Sequence, residues 1–189
     1  ENGSYLPDWH PYENYTRNYA SKKTLGGGVT LTQIHELDYL CWFLGMPKEV
    51  TTVMTKISNL KINVDDINET ILRFPNSVIA GIHLDFFQRP YFKSCKIKSS
   101  KGTLQWDSTE NQINFYTSKT KKWSKIKVAN NYNLSGNKIN KMYIEELHHF
   151  LSCIKKCSQP MNNLSEAESI LNVTLCMKKS SSMKKTIKI

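Results

Sequence analysis

The sequence lacks the patterns that mark membrane and secreted proteins. No apolar run approaches the roughly 20 residues that cross a bilayer, and residues 1–7 lack the basic-then-apolar order of a signal peptide. The five cysteines are odd in number and contain no CxxC pair, which argues against a disulfide scaffold. These absences predict a cytoplasmic protein with no membrane partner.

A segment able to hold a nucleotide is also missing from the sequence. Neither GxxxxGK(S/T) nor a GxGxxG that follows a strand occurs, and the triple glycine at positions 26–28 matches neither pattern. The sequence therefore predicts that a dinucleotide-binding Rossmann domain is absent from this chain.

Basic residues exceed acidic ones, giving a net charge of +10 that would suit nucleic acid or anionic lipid. The lysines are scattered along predicted strands, however, with a single cluster near the C-terminal end at Lys178, Lys179, Lys184 and Lys185. This placement is typical of solvated faces and strand edges, so no nucleic-acid partner is predicted. An anionic substrate such as a nucleotide sugar remains compatible with the charge.

What is present indicates one folded domain of 189 residues, since 39% of them are hydrophobic and 11% aromatic. Residues 1–25 are predicted as an aromatic substrate-side loop with a short helix. Residues 26–45 are predicted as a glycine turn and a helix over about 33–44, capped by Thr32 and stopped at Gly45.

The remainder predicts a sheet over 48–128 and two further helices with a last strand over 138–189. Strands are expected at 48–58, 68–74, 78–87, 93–98, 102–107, 112–116, 123–128 and 186–189. Helices are expected at 138–157 and from a capping box at Ser165 to about Lys179. The fold class predicted is α+β, an open, largely antiparallel or mixed sheet with helices packed on one face.

His35 is the most informative polar residue, because it falls in the first turn of the predicted helix. The positive end of the helix dipole favours a neutral imidazole, which can accept or donate a proton as a general acid/base. Asp38 lies three residues on and can orient the ring, whereas Glu36 is expected on the surface. On the residues alone, a structural histidine beside a tight glycine turn is the favoured interpretation.

His149, Cys153 and Cys157 are spaced four residues apart on one predicted helix, and three nitrogen or sulfur ligands of this kind can form a zinc site. No fourth ligand is evident and free cysteines commonly pack as small hydrophobes, so no metal is predicted.

Several motifs occur together in a fixed order. They are Trp9-His10-Pro11-Tyr12, then Gly26-Gly27-Gly28, His35-Glu36-Leu37-Asp38, Trp42 and Gly45, then 85–90, 101–106 and 143–150. Together they resemble the C-terminal domain of the Gfo/Idh/MocA oxidoreductases (glucose–fructose oxidoreductase, inositol dehydrogenase and MocA), particularly members that act on nucleotide or amino sugars.

This resemblance implies the substrate-binding and oligomerisation part of an NAD(P)-dependent oxidoreductase acting on a sugar. In the family an N-terminal Rossmann domain binds NAD or NADP and supplies a lysine that works with the histidine. His35 becomes the expected general acid/base, and a homo-oligomer through the outer sheet face is expected. Substrate-binding residues are expected at Asp8, Trp9, His10, Tyr12, Thr32 and Asp38.

One departure from the family pattern affects the site. Many members carry an aspartate four residues before the histidine, where this chain has Leu31, and Thr32 takes the place reached by counting from the glycines. Asp38, or Asp8 and His10, could supply the missing polar partner. The alternative function is a non-catalytic oligomerising or ligand-binding domain of the same fold.

Overall fold

The computed structural model describes residues 1–110, 112–127 and 139–189, so the predicted element ends at Val128 and Lys138 lie outside the described residues. Two compact units are formed, one by residues 1–92 with 165–189 and the other by residues 93–164. The strands are β1 (Asn2–Gly3), β2 (Glu49–Thr55), β3 (Ile67–Arg73), β4 (Ile79–Asp85), β5 (Phe92–Ser99), β6 (Gly102–Asp107), β7 (Gln112–Thr117), β8 (Lys122–Lys127) and β9 (Ile187–Lys188). The helices are α1 (Val29–Thr32), α2 (His35–Leu44), α3 (Ile139–Lys156) and α4 (Leu164–Met183).

The first unit contains a mixed sheet in the order β1-β4-β3-β2-β9. The pairs β2–β3, β3–β4 and β2–β9 are antiparallel, while β1 runs parallel to β4. The hairpin between β3 and β4 turns at Pro75–Ser77, where the sequence predicted a short link. The predicted α+β fold with an open mixed sheet is therefore confirmed.

One face of this sheet is covered by helices because alternate strand residues are apolar. Val50, Leu72 and Ile82 are buried on that face, and they pack in one core with Leu37 of α2 and Val173 of α4. The predicted stripe of the first long helix also faces this core, with Ile34, Leu37, Leu40, Cys41 and Leu44 all belonging to it. Residue alternation on the strands thus decides which face the helices cover.

The predicted start of that helix is wrong by two residues. Thr32 ends α1 and α2 begins at His35, so the N-cap of α2 is Ile34 and not Thr32. Gln33 lies between the two helices with φ −103° and ψ 34°, and its side chain is buried. The chain leaves helical geometry there, which places the Gln33 amide inside the unit.

The second unit consists of the antiparallel meander β5-β6-β7-β8 and helix α3. The turn between β5 and β6 occurs at residues 100–101, as the sequence predicted, and α3 confirms the predicted helix. The apolar stripe of α3 is largely exposed, as Tyr143 at 60%, Leu147 at 58% and Phe150 at 51% show.

Candidate functional site

A polar cluster lies where β1 and β4 end and α2 begins. Past β1 the chain remains bound to the end of β4, because Ser4 N donates to Asp85 O at 3.2 Å and Leu6 N donates to Phe86 O at 3.0 Å. The buried Gln33 amide donates to Ser4 Oγ at 3.3 Å. Gln33, two positions before His35, is thereby hydrogen-bonded to Ser4 at the start of the aromatic loop.

His35 is the first residue of α2 and its side chain is exposed. Within the described residues its imidazole forms no hydrogen bond or ion pair with another side chain. An exposed, uncommitted imidazole at a helix start can meet a ligand and exchange a proton with it. The position matches the sequence prediction, and the proton-transfer role stays a prediction.

Glu36, predicted to lie on the surface, is buried instead, with 1% of its residue surface exposed. Its Oε1 accepts a hydrogen bond of 3.0 Å from Nδ2 of Asn2, which joins the first turn of α2 to β1. Burial is the main cause that raises the pKa of the Tyr91 phenol, and the negative charge of Glu36 adds to it. The phenol therefore lies close enough to Glu36 to interact with it electrostatically. The sequence prediction for Glu36 was wrong because its burial depends on Asn2, a partner 34 residues away in the chain.

Three buried oxygen atoms of the same region have no hydrogen-bond partner in the described part of the chain. They are Oδ1 of Asn2, Oγ1 of Thr32 and Oε1 of Gln33. Buried polar atoms are usually paired, so these three atoms are exceptions, and they are not accessible to a ligand in this structure. Thr32, predicted as a substrate residue, is one of them.

The aromatic loop carries the other predicted substrate residues, and their environments differ. Trp9 is held inward, since its Nε1 donates to Ser4 Oγ at 2.9 Å and its ring meets Phe86 edge-on at 5.4 Å. His10 and Tyr12 contact each other, with Nδ1 and the hydroxyl 3.3 Å apart, and Tyr12 is 81% exposed. Only the latter two side chains therefore lie open to a ligand.

Asp8 is paired with Arg89, which follows β4 in the chain. Nε and Nη2 of Arg89 donate to the two carboxylate oxygens at 2.7 and 2.6 Å, and these hydrogen bonds hold the pKa of Asp8 below its usual value. The guanidinium also lies 3.6 Å from the centre of the Tyr5 ring. Arg89 lies within the 85–90 motif, but nothing in the sequence indicates that it pairs with Asp8, which is 81 residues away.

None of the expected partners of His35 is hydrogen-bonded to it in the described residues. Asp8 binds Arg89 and His10 contacts Tyr12, while Asp38 lies near Cys41. Burial, with a further contribution from the Asp38 charge, raises the pKa of the Cys41 thiol to about 11. The structure thus places the predicted substrate residues in one unit but shows no side-chain relay to the imidazole.

The glycine segment does not fit the pyrophosphate of a dinucleotide. A Cβ added at Gly28 would collide with the carboxylate of Asp65, and one added at Gly27 would collide with the backbone carbonyls of Tyr19 and Ala20. These glycines therefore allow close packing against the chain itself, leaving no cradle for a phosphate.

The described residues contain neither a candidate metal cluster nor a helix that could span a membrane. No group of three or more His, Cys, Asp or Glu side chains there is arranged to hold a metal ion. In the part of the chain that the structure describes, no helix combines the length and apolarity needed to cross a membrane. His149, which was considered as a metal ligand in the sequence, accepts a hydrogen bond through Nε2 from the backbone N of Met161 at 2.9 Å.

Several solved structures that share this fold are oxidoreductases. The chain is similar to aldose-aldose oxidoreductase from Caulobacter crescentus complexed with glycerol (TM-score 0.77, 17% identity, 99% of this chain and 53% of that one). It is also similar to levoglucosan dehydrogenase in complex with NADH (TM-score 0.81, 14% identity, 100% of this chain and 57% of that one). A third likeness is to an oxidoreductase from Agrobacterium radiobacter in complex with NAD+, L-tartaric acid and magnesium (TM-score 0.75, 11% identity, 99% and 55%). The chain thus spans little more than half the length of these proteins.

Sequence comparison identifies the family within this fold. Residues 2–105, more than half of the chain, match the family described as the GFO/IDH/MocA C-terminal domain, and the chain belongs to that family. Among curated proteins no relative matches the chain.

Proposed function

We propose that this chain is the substrate-side domain of an NAD(P)-dependent oxidoreductase that acts on a sugar, specifically a nucleotide sugar or an amino sugar. The observation that carries the proposal is His35, which is exposed and free of side-chain partners in the described residues at the first position of α2. Residues 1–189 act as one C-terminal domain, in the cytoplasm that the cysteine usage predicts.

His35 moves the proton in this proposal. When a carbinol of the sugar is oxidised, Nε2 or Nδ1 of His35 takes the hydroxyl proton, and in the reverse direction it returns a proton to the carbonyl oxygen. Hydride chemistry belongs to NAD or NADP held by a part of the protein outside these residues. The neighbours' names support a sugar as the substrate, since they include complexes of levoglucosan dehydrogenase with levoglucosan and with L-sorbose.

Sugar recognition is assigned to side chains of the aromatic loop and to residues near His35 in the sequence. Asp8, His10 and Tyr12 of the aromatic loop offer a carboxylate, an imidazole and a phenol, of which the last two are open to a ligand. Thr32 and Asp38 flank the imidazole in sequence, and Trp9 supports the loop from within. The net charge of +10 suits the phosphates of a nucleotide sugar.

The test uses the full-length protein, assayed for NAD(P)H turnover with a panel of nucleotide sugars and amino sugars. His35→Ala should lower kcat by about a hundredfold or more, because general acid–base catalysis contributes on that scale. The matched control is His148→Ala, since His148 is an exposed histidine on α3, and its kcat should match the wild type.

The outcomes separate the proposal from its alternative. Turnover that survives in His35→Ala removes this residue from the mechanism. Sugar binding without any turnover, for both cofactors and every substrate class tested, favours the non-catalytic ligand-binding domain of the same fold.

A further inference from the structure

Gln33 is a buried polar residue that the proposed reaction leaves without a role. It lies between α1 and α2, two positions before His35, and only 4% of its residue surface is exposed. Its backbone N donates to Val29 O at 2.9 Å, which closes α1, and its backbone O accepts from Glu36 N at 3.3 Å, which opens α2. The direction in which α2 leaves α1, and with it the place of His35, therefore depends on how Gln33 is held.

The Gln33 side chain is hydrogen-bonded to the segment that opens the aromatic loop. Its Nε2 donates to Ser4 Oγ at 3.3 Å and reaches the backbone O of Asp85 at 3.5 Å. The same Ser4 Oγ accepts from Nε1 of Trp9 at 2.9 Å. One hydroxyl, on a residue that is itself buried, thus joins the aromatic loop to the start of α2.

The backbone around Ser4 is held by the end of β4, which gives this link a fixed base. Ser4 N donates to Asp85 O at 3.2 Å, and Leu6 N donates to Phe86 O at 3.0 Å. The Trp9 ring packs edge-on against Phe86, with the ring centroids 5.4 Å apart. Buried hydrogen-bonding groups have no solvent to replace a lost partner, so the bonds through Ser4 fix the positions of the groups that they join.

Stability alone does not explain an amide at position 33. Oε1 of Gln33 has no hydrogen-bond partner in the described part of the chain, and a buried amide that is not fully paired lowers stability. An apolar side chain of similar size would avoid this cost. Departures of this kind from the usual rules of packing are expected mainly at functional sites.

We propose that Gln33 is a positioning residue, which fixes the place of His35 relative to a sugar bound by the aromatic loop. This role rests on the proposed function, in which the loop binds the sugar and His35 moves the proton. Gln33 acts through Ser4 and Trp9, since its own side chain is buried. A displacement of about 1 Å between a bound substrate and a catalytic group can cost about a hundredfold in rate, so a link of this kind matters for turnover.

Kinetics of the full-length protein, with the sugar identified by the panel of nucleotide and amino sugars, separate positioning from packing. Gln33→Leu keeps most of the side-chain volume and should lower kcat by about tenfold or more, while KM for NAD(P)H is unchanged. Thr174→Val is the matched control, because Thr174 is fully buried and donates to Ile170 O within α4 at 2.9 Å. This variant should unfold at a lower urea concentration and keep the wild-type kcat. A wild-type kcat in Gln33→Leu overturns the proposal.

A double-mutant cycle tests the path through Ser4. Ser4→Ala removes the hydroxyl that Gln33 and Trp9 share, so it should lower kcat at least as much as Gln33→Leu does. The double variant should be no slower than Ser4→Ala alone, because both substitutions break the same link. Losses that add fully in the double variant overturn the proposal.

Hydrogen exchange keeps this inference separable from the function on which it rests. The backbone amides of residues 33–37 should exchange several-fold faster in Gln33→Leu and in Ser4→Ala than in Thr174→Val. If His35→Ala abolishes turnover while Gln33→Leu and Ser4→Ala keep the wild-type kcat, the positioning role is wrong and the oxidoreductase stands. If exchange is faster in both variants but no sugar is turned over by the wild type, the link to α2 stands and the proposed reaction is wrong.

Discussion

At the scale of single residues, Gly28 meets two constraints that a side chain cannot satisfy. Its backbone has φ 110° and ψ 150°, a region that only glycine adopts readily, and an added Cβ would collide with Asp65. The carboxylate of Asp65 is itself committed, because Oδ2 accepts from Thr30 N at 3.0 Å and from Thr30 Oγ1 at 2.7 Å. We expect Gly28→Ala to lower the free energy of unfolding by about 3 kcal/mol, measured by urea denaturation.

Gly26→Ala is the matched control for that prediction. Gly26 also has a positive φ of 75°, but nothing lies within 4 Å of an added Cβ. Its substitution should cost only about 1 kcal/mol, the strain of a left-handed residue. Equal losses in the two variants would show that the contact with Asp65 has no energetic role.

His83 is a second residue with a distinctive environment, on β4. Its Nδ1 is 2.5 Å from Glu69 Oε1 and its Nε2 is 3.0 Å from Asp85 Oδ2. Burial lowers the pKa of His83, but the hydrogen bonds to the two carboxylates outweigh burial and raise the pKa overall. The protonated imidazole is therefore more stable in the folded protein than in the unfolded chain.

The sign of the resulting pH dependence follows from linkage. A folded-state pKa above the unfolded value of about 6.5 gives a stabilisation that is complete below that pH and lost as pH rises through the folded-state pKa. We expect this part of the unfolding free energy to be about 1 kcal/mol, because His83 and Glu69 are partly exposed. His83→Gln should flatten the stability profile above about pH 6.5, as measured by urea denaturation at a series of pH values, and an unchanged slope would contradict the assignment.

His35 and Glu36 show how far single residues were predictable. The glycine turn and the apolar spacing placed His35 at a helix start, and the structure confirms that position. The burial of Glu36 was missed, because it depends on Asn2, which lies 34 residues earlier in the chain and donates to its carboxylate. Local periodicity carries no information about such a distant partner.

At the scale of elements, the last turn of α4 stabilises the free edge of β2. Strand β9 pairs only with Glu49 and Val50, which leaves the amides of Thr52 and Met54 without a strand partner on that side. Oγ of Ser180 accepts from Thr52 N at 3.0 Å, and Oγ of Ser181 accepts from Met54 N at 3.0 Å. The serines thus complete the hydrogen bonding of the β2 edge.

Ser180→Ala should lower the free energy of unfolding by about 2 kcal/mol, because it leaves a buried amide unpaired. Ser182→Ala is the control, since Ser182 is exposed and donates only to Lys179 O within its own helix. Its variant should unfold at nearly the wild-type urea concentration. If the two variants unfold alike, the serine contacts with β2 do not stabilise the fold.

The hydrogen bonds of Ser180 and Ser181 to β2 explain why α4 is longer than the sequence predicted. The helix was expected to end at about Lys179, whereas α4 continues to Met183 through three serines, which have only moderate helix propensity. The capping box at Ser165 was also misplaced, since α4 begins at Leu164 and Ser165 lies inside its first turn. The two-residue strand β1 was missed, because its pairing with β4 spans 82 residues from Asn2 to Leu84. Long strands and amphipathic helices were predictable, while ends that depend on tertiary contacts were not.

At the scale of the whole molecule, the outer face of the β2–β4 sheet carries exposed apolar side chains among charged ones, and no helix of the first unit covers it. Val53 is 65% exposed, Ile71 is 54% exposed and Ile79 is 61% exposed on three adjacent strands. Ile71 lies opposite Gly81, and the missing side chain there leaves a shallow trough of about 460 Å³ that Val53 and His83 also line. Exposed apolar side chains that cluster on one face of a sheet occur at interfaces between subunits.

We therefore expect Ile71→Lys to convert the full-length protein from a homo-oligomer to a smaller species, measured by size-exclusion chromatography with light scattering. A lysine at this position faces its own symmetry mate or an apolar partner residue, so the charge must be desolvated when the faces meet. The fold should be retained, because the substituted side chain is more than half exposed. Ile126→Lys, on the 53%-exposed Ile126 of β8, is the matched control and should keep the wild-type mass. A wild-type protein that is monomeric, or an Ile71→Lys variant of unchanged mass, would exclude the outer face as the oligomer interface.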